Sequence, residues 1–157
     1  MKVLVECSAD EIVLRNLGVP KKQLLHFGGK YELVKKLKER TNDIGMVDED
    51  PGKLQPQDMS SYRRTDSAEG LHLLTRRGKG SQRLVVVCSK LEDWLIDRAK
   101  SSGIRPEDFG LPSDPDRLHS IPRYEQKEGF RHFLEELIKC DEGMHLLRQW
   151  VLEDARP

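Results

Sequence analysis

Residues 1–51, MKVLVECSADEIVLRNLGVPKKQLLHFGGKYELVKKLKERTNDIGMVDEDP, alternate short apolar runs with segments of helical periodicity. The apolar runs have the length and residue types of buried parallel strands. Ser8 and Glu11 have the spacing of a capping box, which predicts a helix that begins at Ser8. The order β-α-β-α-β predicts parallel strands joined by right-handed helical crossovers. The predicted strands span 3–5, 23–27 and 44–47, and the predicted helices span 8–17 and 33–40.

The whole sequence predicts an α/β fold. In this fold a mostly parallel sheet is flanked by helices in a Rossmann-like arrangement, and further helices follow at the C-terminus. One domain of residues 1–157 is expected, with its core in about 1–100 and a loop plus two closing helices in 105–157. Trp94 and Trp150 lie on apolar helical stripes, so both are expected in the core. The predicted elements are strands at 71–75 and 83–87, helices at 91–100, 126–140 and 143–153, and loops at 52–69 and 101–124.

Composition limits the classes of partner. The chain has 27 basic and 27 acidic residues and no net charge, so any affinity for nucleic acid has to come from local patches or from bound metal. No apolar run approaches the roughly 20 residues that span a bilayer, so no membrane partner is expected. The cysteines are three and lack a CxxC pair, which argues against a zinc site and predicts reduced thiols in a cytoplasmic protein.

Acidic side chains follow two of the predicted strands. Glu6 comes directly after the first strand, and Asp48 and Asp50 come after the third. Functional groups in parallel sheets gather at the carboxyl ends of the strands, and alternate residues of an extended segment share one side. Glu49 is therefore expected to face away from Asp48 and Asp50. Three carboxylates at one edge predict a site for Mg²⁺ or Mn²⁺ that serves phosphodiester chemistry, although an Asp after a strand also forms turns and caps helices.

Three segments resemble the Toprim domain, which occurs in topoisomerases, bacterial primases and the overcoming-lysogenization-defect nucleases. These segments are VLVECSADEIVLRNLG, FGGKYELVKKLKE and IGMVDEDP. The family signature is a Glu after the first strand and a DxD after the third, which Glu6, Asp48 and Asp50 match. A later segment, VVVCSKLEDWLIDRA, resembles small standalone Toprim-like proteins found beside ABC-type ATPases in prokaryotic defence loci, and Glu92 matches the Glu that begins a helix there.

The resemblance covers about residues 1–100 and implies a Toprim-like fold and a metal-dependent nuclease. It implies Glu6, Asp48, Asp50 and Glu92 as the ligands of Mg²⁺ or Mn²⁺, and Lys30, after the Gly28-Gly29 turn, as a phosphate contact. It also implies a role in antiviral defence together with an ABC-type ATPase. Many Toprim domains carry Gly where this chain has Cys7. Asp10 is expected to flank the site, and Glu11 to complete the capping box.

A basic group follows the predicted fourth strand, at 71–75. Arg76, Arg77 and Lys79 are expected either to bind a nucleic-acid backbone or to form a solvated hairpin tip. The main rival to a nuclease is a non-catalytic Toprim-like subunit that binds a partner protein or nucleic acid through its C-terminal helices. The chain lacks HExxH and GxxxxGK[ST], which disfavours a zinc protease and an ATPase. The expected substrate of the nuclease is DNA or RNA.

Overall fold

The structure, a computed structural model, describes residues 1–78 and 81–153. Six strands form one sheet in the order β2-β1-β3-β6-β5-β4. β2, β1, β3 and β6 pair in parallel, whereas β5 and β4 complete the sheet as antiparallel strands. The strands are β1 (Val3–Val5), β2 (Leu24–His26), β3 (Ile44–Asp48), β4 (Tyr62–Ala68), β5 (Leu71–Arg76) and β6 (Arg83–Val87).

The helices cover the two faces of the sheet unequally. Helix α2 packs on one face, where its buried residues join a small core with Leu4, Leu84 and Val86. The other five helices pack against the opposite face and share a larger core with Val3, Val5 and the C-terminal residues. No helix among residues 1–78 and 81–153 is both long and apolar enough to cross a membrane. The helices are α1 (Ser8–Asn16), α2 (Lys30–Lys38), α3 (Leu91–Ser101), α4 (Pro115–Ser120), α5 (Glu128–Cys140) and α6 (Glu142–Arg148), which continues as a π-helical turn (Gln149–Glu153).

These elements confirm the predicted fold class, an α/β fold with a mostly parallel sheet, flanking helices and C-terminal helices. Trp94 and Trp150 are buried in the larger core, as the helical stripes predicted. All three cysteines are free thiols. The predicted loop at 101–124 contains the short helix α4, whose N-cap Asp114 accepts hydrogen bonds from two backbone N–H groups.

The predicted loop at 52–69 is wrong in part, because it contains β4. Every residue of β4 after Tyr62 is exposed, so the strand has no alternation of apolar and polar residues. β4 is an edge strand that pairs with β5 alone, and a register irregularity between Arg64 and Asp66 interrupts the ladder. Its polar sequence suits an exposed edge, because charged side chains discourage pairing with other chains.

The predicted capping box, with Ser8 as the N-cap, is also wrong, because the N-cap lies one residue earlier. The residue at the N-cap is Cys7, and Ser8 is the first residue of α1. Asp10, at the third helical position, accepts a hydrogen bond from the backbone N–H of Cys7 and so completes the return half of a capping box. Cys7 has an extended backbone, with φ −146° and ψ 169°, so the position does not require the glycine found in many Toprim domains.

Gly45 in β3 allows α2 to approach the sheet closely. A Cβ atom at this position would lie 2.7 Å from Leu33 Cδ2 and 2.9 Å from Leu84 Cδ2. We expect Gly45→Ala to lower the free energy of unfolding by about 1–3 kcal/mol, because the extra methyl group overpacks the core under α2. Urea denaturation measures this change. Gly28→Ala is the control, since a Cβ there meets nothing within 4 Å, and an equal loss in both variants would contradict the packing argument.

Candidate metal and phosphate site

The predicted acidic residues border one pocket at the carboxyl edge of the parallel strands. The pocket has a volume of about 320 Å³. It lies where β1 is flanked by β2 on one side and β3 on the other, which is the point at which the strand order changes direction and where open α/β sheets bind ligands. The structure therefore brings together the four predicted carboxylates, and the residues that line the pocket include Glu6, Asp48, Asp50, Glu92, Asp10 and His119.

Glu6 and Asp48 are adjacent because β1 and β3 are adjacent. The register places Val5 opposite Met46, so Glu6, which follows β1, and Asp48, which ends β3, meet at the edge. Glu6 Oε2 accepts the backbone N–H of Asp48 at 2.9 Å, and Asp48 Oδ1 accepts the backbone N–H of Leu91 at 3.1 Å. Asp48 thus lies at the N-terminus of α3, where the helix dipole favours negative charge.

Asp50 borders the pocket for a different reason from the one that the sequence suggested. Its backbone is left-handed, with φ +47°, so the segment from Asp48 to Asp50 is not uniformly extended. Asp50 Oδ2 lies 3.4 Å from Lys30 Nζ. The Lys30 ammonium also donates to the carbonyl oxygen of Glu49 at 3.2 Å and to Gln55 Oε1 at 2.9 Å. Lys30 therefore holds the loop after β3 in place, and its contact with phosphate stays a prediction.

Glu92 is buried at the start of α3 and has two partners that the sequence analysis did not identify. His119 Nδ1 and the Tyr124 hydroxyl group each donate to Glu92 Oε1 at 2.9 Å. Both partners come from 101–124, where the sequence showed no motif. This arrangement fixes one oxygen of the carboxylate, and neither contact involves the other oxygen, Oε2.

Burial, and after it the neighbouring carboxylates, raise the pKa values of Glu6, Asp10 and Asp48. The pKa of Glu6 is raised chiefly by burial, and that of Asp10 is raised by burial to about 7. The pKa of Asp48 rises from 3.8 to about 8, first through burial and then through neighbouring carboxylates, those of Asp10, Glu6, Glu92 and Asp50. The metal-free pocket therefore retains protons near neutral pH, and a bound divalent cation would displace them by favouring the charged carboxylates.

A second group of potential metal ligands lies beside this pocket. Glu49, His72 and Cys88 each offer a donor atom within 4.8 Å of the other two, and no other trio of His, Cys, Asp or Glu within residues 1–78 and 81–153 is as compact. The pocket carboxylates are thus spread more widely than this trio. Glu49 lines a different pocket from Asp48 and Asp50, in agreement with the expectation that it faces away from them.

The predicted basic residues lie at the other edge of the sheet. Arg76 ends β5 and Arg77 follows it, whereas the acidic pocket lies at the carboxyl end of the neighbouring strand β6. The five residues of β6 separate the two edges by about 16 Å. Arg76 donates to the carbonyl oxygen of Lys38 at 3.1 Å, and Lys79 lies outside the described residues. Two exposed lysines that the sequence analysis did not identify, Lys53 and Lys90, line the pocket itself.

Comparison of the chain with models of protein families, with curated proteins and with solved structures finds no match. The resemblance to the Toprim domain therefore stays a prediction from the sequence.

The raised pKa of Asp48 predicts that the metal-free protein becomes less stable as pH rises from about 4 to about 8. In this range folded Asp48 holds a proton that the unfolded chain has released, so folding takes up protons and an increase in pH opposes it. Asp48→Asn keeps the oxygen that accepts the Leu91 N–H, and we expect it to flatten this decline in melting temperature. Asp97→Asn, at an exposed position on α3, is the control, and the same pH dependence in wild type and Asp48→Asn would refute the prediction.

Proposed function

We propose that the chain is a metal-dependent nuclease whose acidic pocket holds Mg²⁺ or Mn²⁺. The observation that supports this proposal is the convergence of Glu6, Asp48, Asp50 and Glu92 on one pocket at the switch point of the sheet. The donor atoms are carboxylate oxygens, which these hard cations prefer. Glu6, Asp48 and Asp50 would hold one ion, and Glu92 would serve a second. Bound metal supplies charge neutralisation and an activated water for attack on phosphorus.

The surroundings of the pocket suit a phosphodiester. Helices α1, α2 and α3 all begin at this edge, and backbone N–H groups at helix N-termini attract phosphate oxygens. Gly28 and Gly29 line the pocket, and a Cβ at either position would meet nothing within 4 Å, so a substrate has room to approach the backbone. Lys53 and Lys90 add two exposed ammonium groups at the rim.

The second candidate function is a non-catalytic subunit. The observation that favours it is the ion pair between Lys30 and Asp50, because Asp50 already has a cationic partner. In this alternative the pocket binds no metal, and the domain binds a partner protein or nucleic acid. The Toprim identity, the ABC-type ATPase partner, the defence role and the cytoplasmic location remain proposals that rest on sequence alone.

Cleavage of plasmid, single-stranded DNA and transfer RNA with Mg²⁺ or Mn²⁺ tests the nuclease. We expect Asp48→Asn to lower metal-dependent cleavage at least about 100-fold, because the variant loses a charged ligand. The exposed Asp97→Asn serves as the matched control. The melting temperature with and without Mn²⁺ reports metal binding independently, and we expect Mn²⁺ to raise it in wild type and less in Asp48→Asn.

Two outcomes would contradict the nuclease. Equal cleavage by wild type and Asp48→Asn would mean that another site carries the activity. Absence of both cleavage and metal-dependent stabilisation would favour the non-catalytic subunit.

Lysines at the pocket rim give a further expectation. Replacement of Lys53 and Lys90 by Ala should weaken binding of single-stranded oligonucleotide and reduce the slope of log affinity against log salt by about 1.4, since two phosphate contacts are lost. Fluorescence anisotropy over a salt series measures both quantities. The double variant Arg76→Ala/Arg77→Ala tests the opposite edge, and a larger effect there than at the rim would move the nucleic-acid path away from the pocket.

A further inference from the structure

Glu49 and Cys88 directly follow the strands β3 and β6, His72 lies in the neighbouring strand β5, and the three side chains meet on the α2 face of the sheet. Glu49 lies two residues after Val47, His72 lies two residues before Leu74, and Cys88 lies two residues after Val86. Val47 and Val86 belong to the smaller core, and Leu74 packs against it. Because side chains two apart point to the same face, all three are directed to the side that α2 covers. Asp48 lies two residues after Met46, which belongs to the larger core. Asp48 is therefore directed to the opposite face of the sheet, and the acidic pocket opens on that side. The trio is therefore a separate site.

Hydrogen bonds orient the side chains of the trio in the absence of a metal. The Cys88 thiol donates to the Glu49 carboxylate. His72 Nδ1 shares a 2.7 Å hydrogen bond with Ser67 Oγ, from the residue directly opposite it in the register of β4 and β5. This bond orients the imidazole and leaves Nε2 for coordination, as partners in the outer shell do in metal sites.

We propose that Glu49, His72 and Cys88 bind a transition-metal dication of the zinc class. A thiolate, an imidazole and a carboxylate are the ligands that Zn²⁺ takes in proteins, and a thiolate is a poor ligand for Mg²⁺. Ligand atoms that share one zinc ion lie roughly 3.3–3.8 Å apart, because each is about 2.0–2.3 Å from the metal. The donor atoms already lie within 4.8 Å of one another, so small side-chain rotations complete the site.

Three protein ligands leave a fourth position of the tetrahedron for water or a ligand atom. A pocket of about 340 Å³ adjoins the trio, and Glu49, His72 and Arg64 line it. The open coordination position would therefore face this pocket, with the Arg64 guanidinium nearby to accompany an anionic ligand.

Titration with Co²⁺ tests the site, because a cysteine thiolate bound to Co²⁺ gives a charge-transfer absorption in the near ultraviolet. We expect one Co²⁺ per chain with this absorption and its displacement by Zn²⁺. Cys88→Ser should abolish the absorption, His72→Gln should weaken binding at least about 10-fold, and Ser67→Ala should weaken it about 10-fold. Cys140→Ser is the matched control, since Cys140 is a free cysteine on α5, and Asp48→Asn should leave the absorption unchanged.

A second measurement uses the unmodified chain, so it does not depend on whether a variant folds. Zn²⁺ should protect Cys88 from alkylation by iodoacetamide at least about 10-fold, as mass spectrometry of each cysteine reports, whereas Mg²⁺ should not. Cys140 should react equally with and without Zn²⁺. The proposal is overturned if the Co²⁺ absorption persists in Cys88→Ser, if it depends on Cys140, or if Zn²⁺ leaves the alkylation of Cys88 unchanged. Asp48→Asn separates this result from the acidic pocket, because loss of cleavage with retained Co²⁺ absorption places the two metals at different sites.

Discussion

The parallel pairing of β1 with β3 is the constraint on which the site depends. The ladder sets Val5 opposite Met46, and the next residues along each strand converge so that Glu6 accepts the backbone N–H of Asp48. α1 leaves β1 for one face of the sheet and α2 leaves β2 for the other, which opens a crevice at the switch point between them. The parallel pairing therefore places Glu6 and Asp48 together at the carboxyl edge of the sheet.

The alternation of side chains along β3 separates two kinds of chemistry. Asp48 is directed to the side of the larger core and lines the acidic pocket, whereas Glu49, the next residue, is directed to the α2 face and lies near the Cys88 sulfur and a His72 nitrogen. Consecutive residues at the end of β3 thus contribute to two proposed ligand sets of different softness. A shift of one residue in the pairing of β3 would exchange both assignments, so the register of the sheet determines them together.

Those parts of the structure that leave a hydrophobic periodicity in the sequence could be predicted. The buried strands and the helices on them follow from apolar runs and crossovers, so the meeting of Glu6 and Asp48 at one edge could be expected. Glu92 was expected only from the resemblance to the Toprim domain, and Asp50 borders the pocket with a left-handed backbone that the extended pattern did not predict. β4 could not be predicted because an exposed edge strand carries no burial pattern. His119 and Tyr124 reach Glu92 only through tertiary packing of a segment without periodicity. Cys88 and His72 meet through the antiparallel pairing of β5 and β6, which no short motif announces.

The buried carboxylates of the acidic pocket lower the stability of the metal-free fold, and this cost is relevant to the function of the pocket. Burial and mutual repulsion raise the pKa of Asp48 to about 8 and that of Asp10 to about 7. Amide side chains of the same shape would keep most of the hydrogen bonds without the repulsion, so structure alone does not require these carboxylates. The ammonium of Lys30 is engaged by Asp50 and by two uncharged oxygens, so below about pH 8 a bound proton, and not a cation, neutralises Asp48. A strained cluster of this kind is typical of a site where a bound cation restores the balance, which is why the metal hypothesis accounts for the geometry better than a purely structural one.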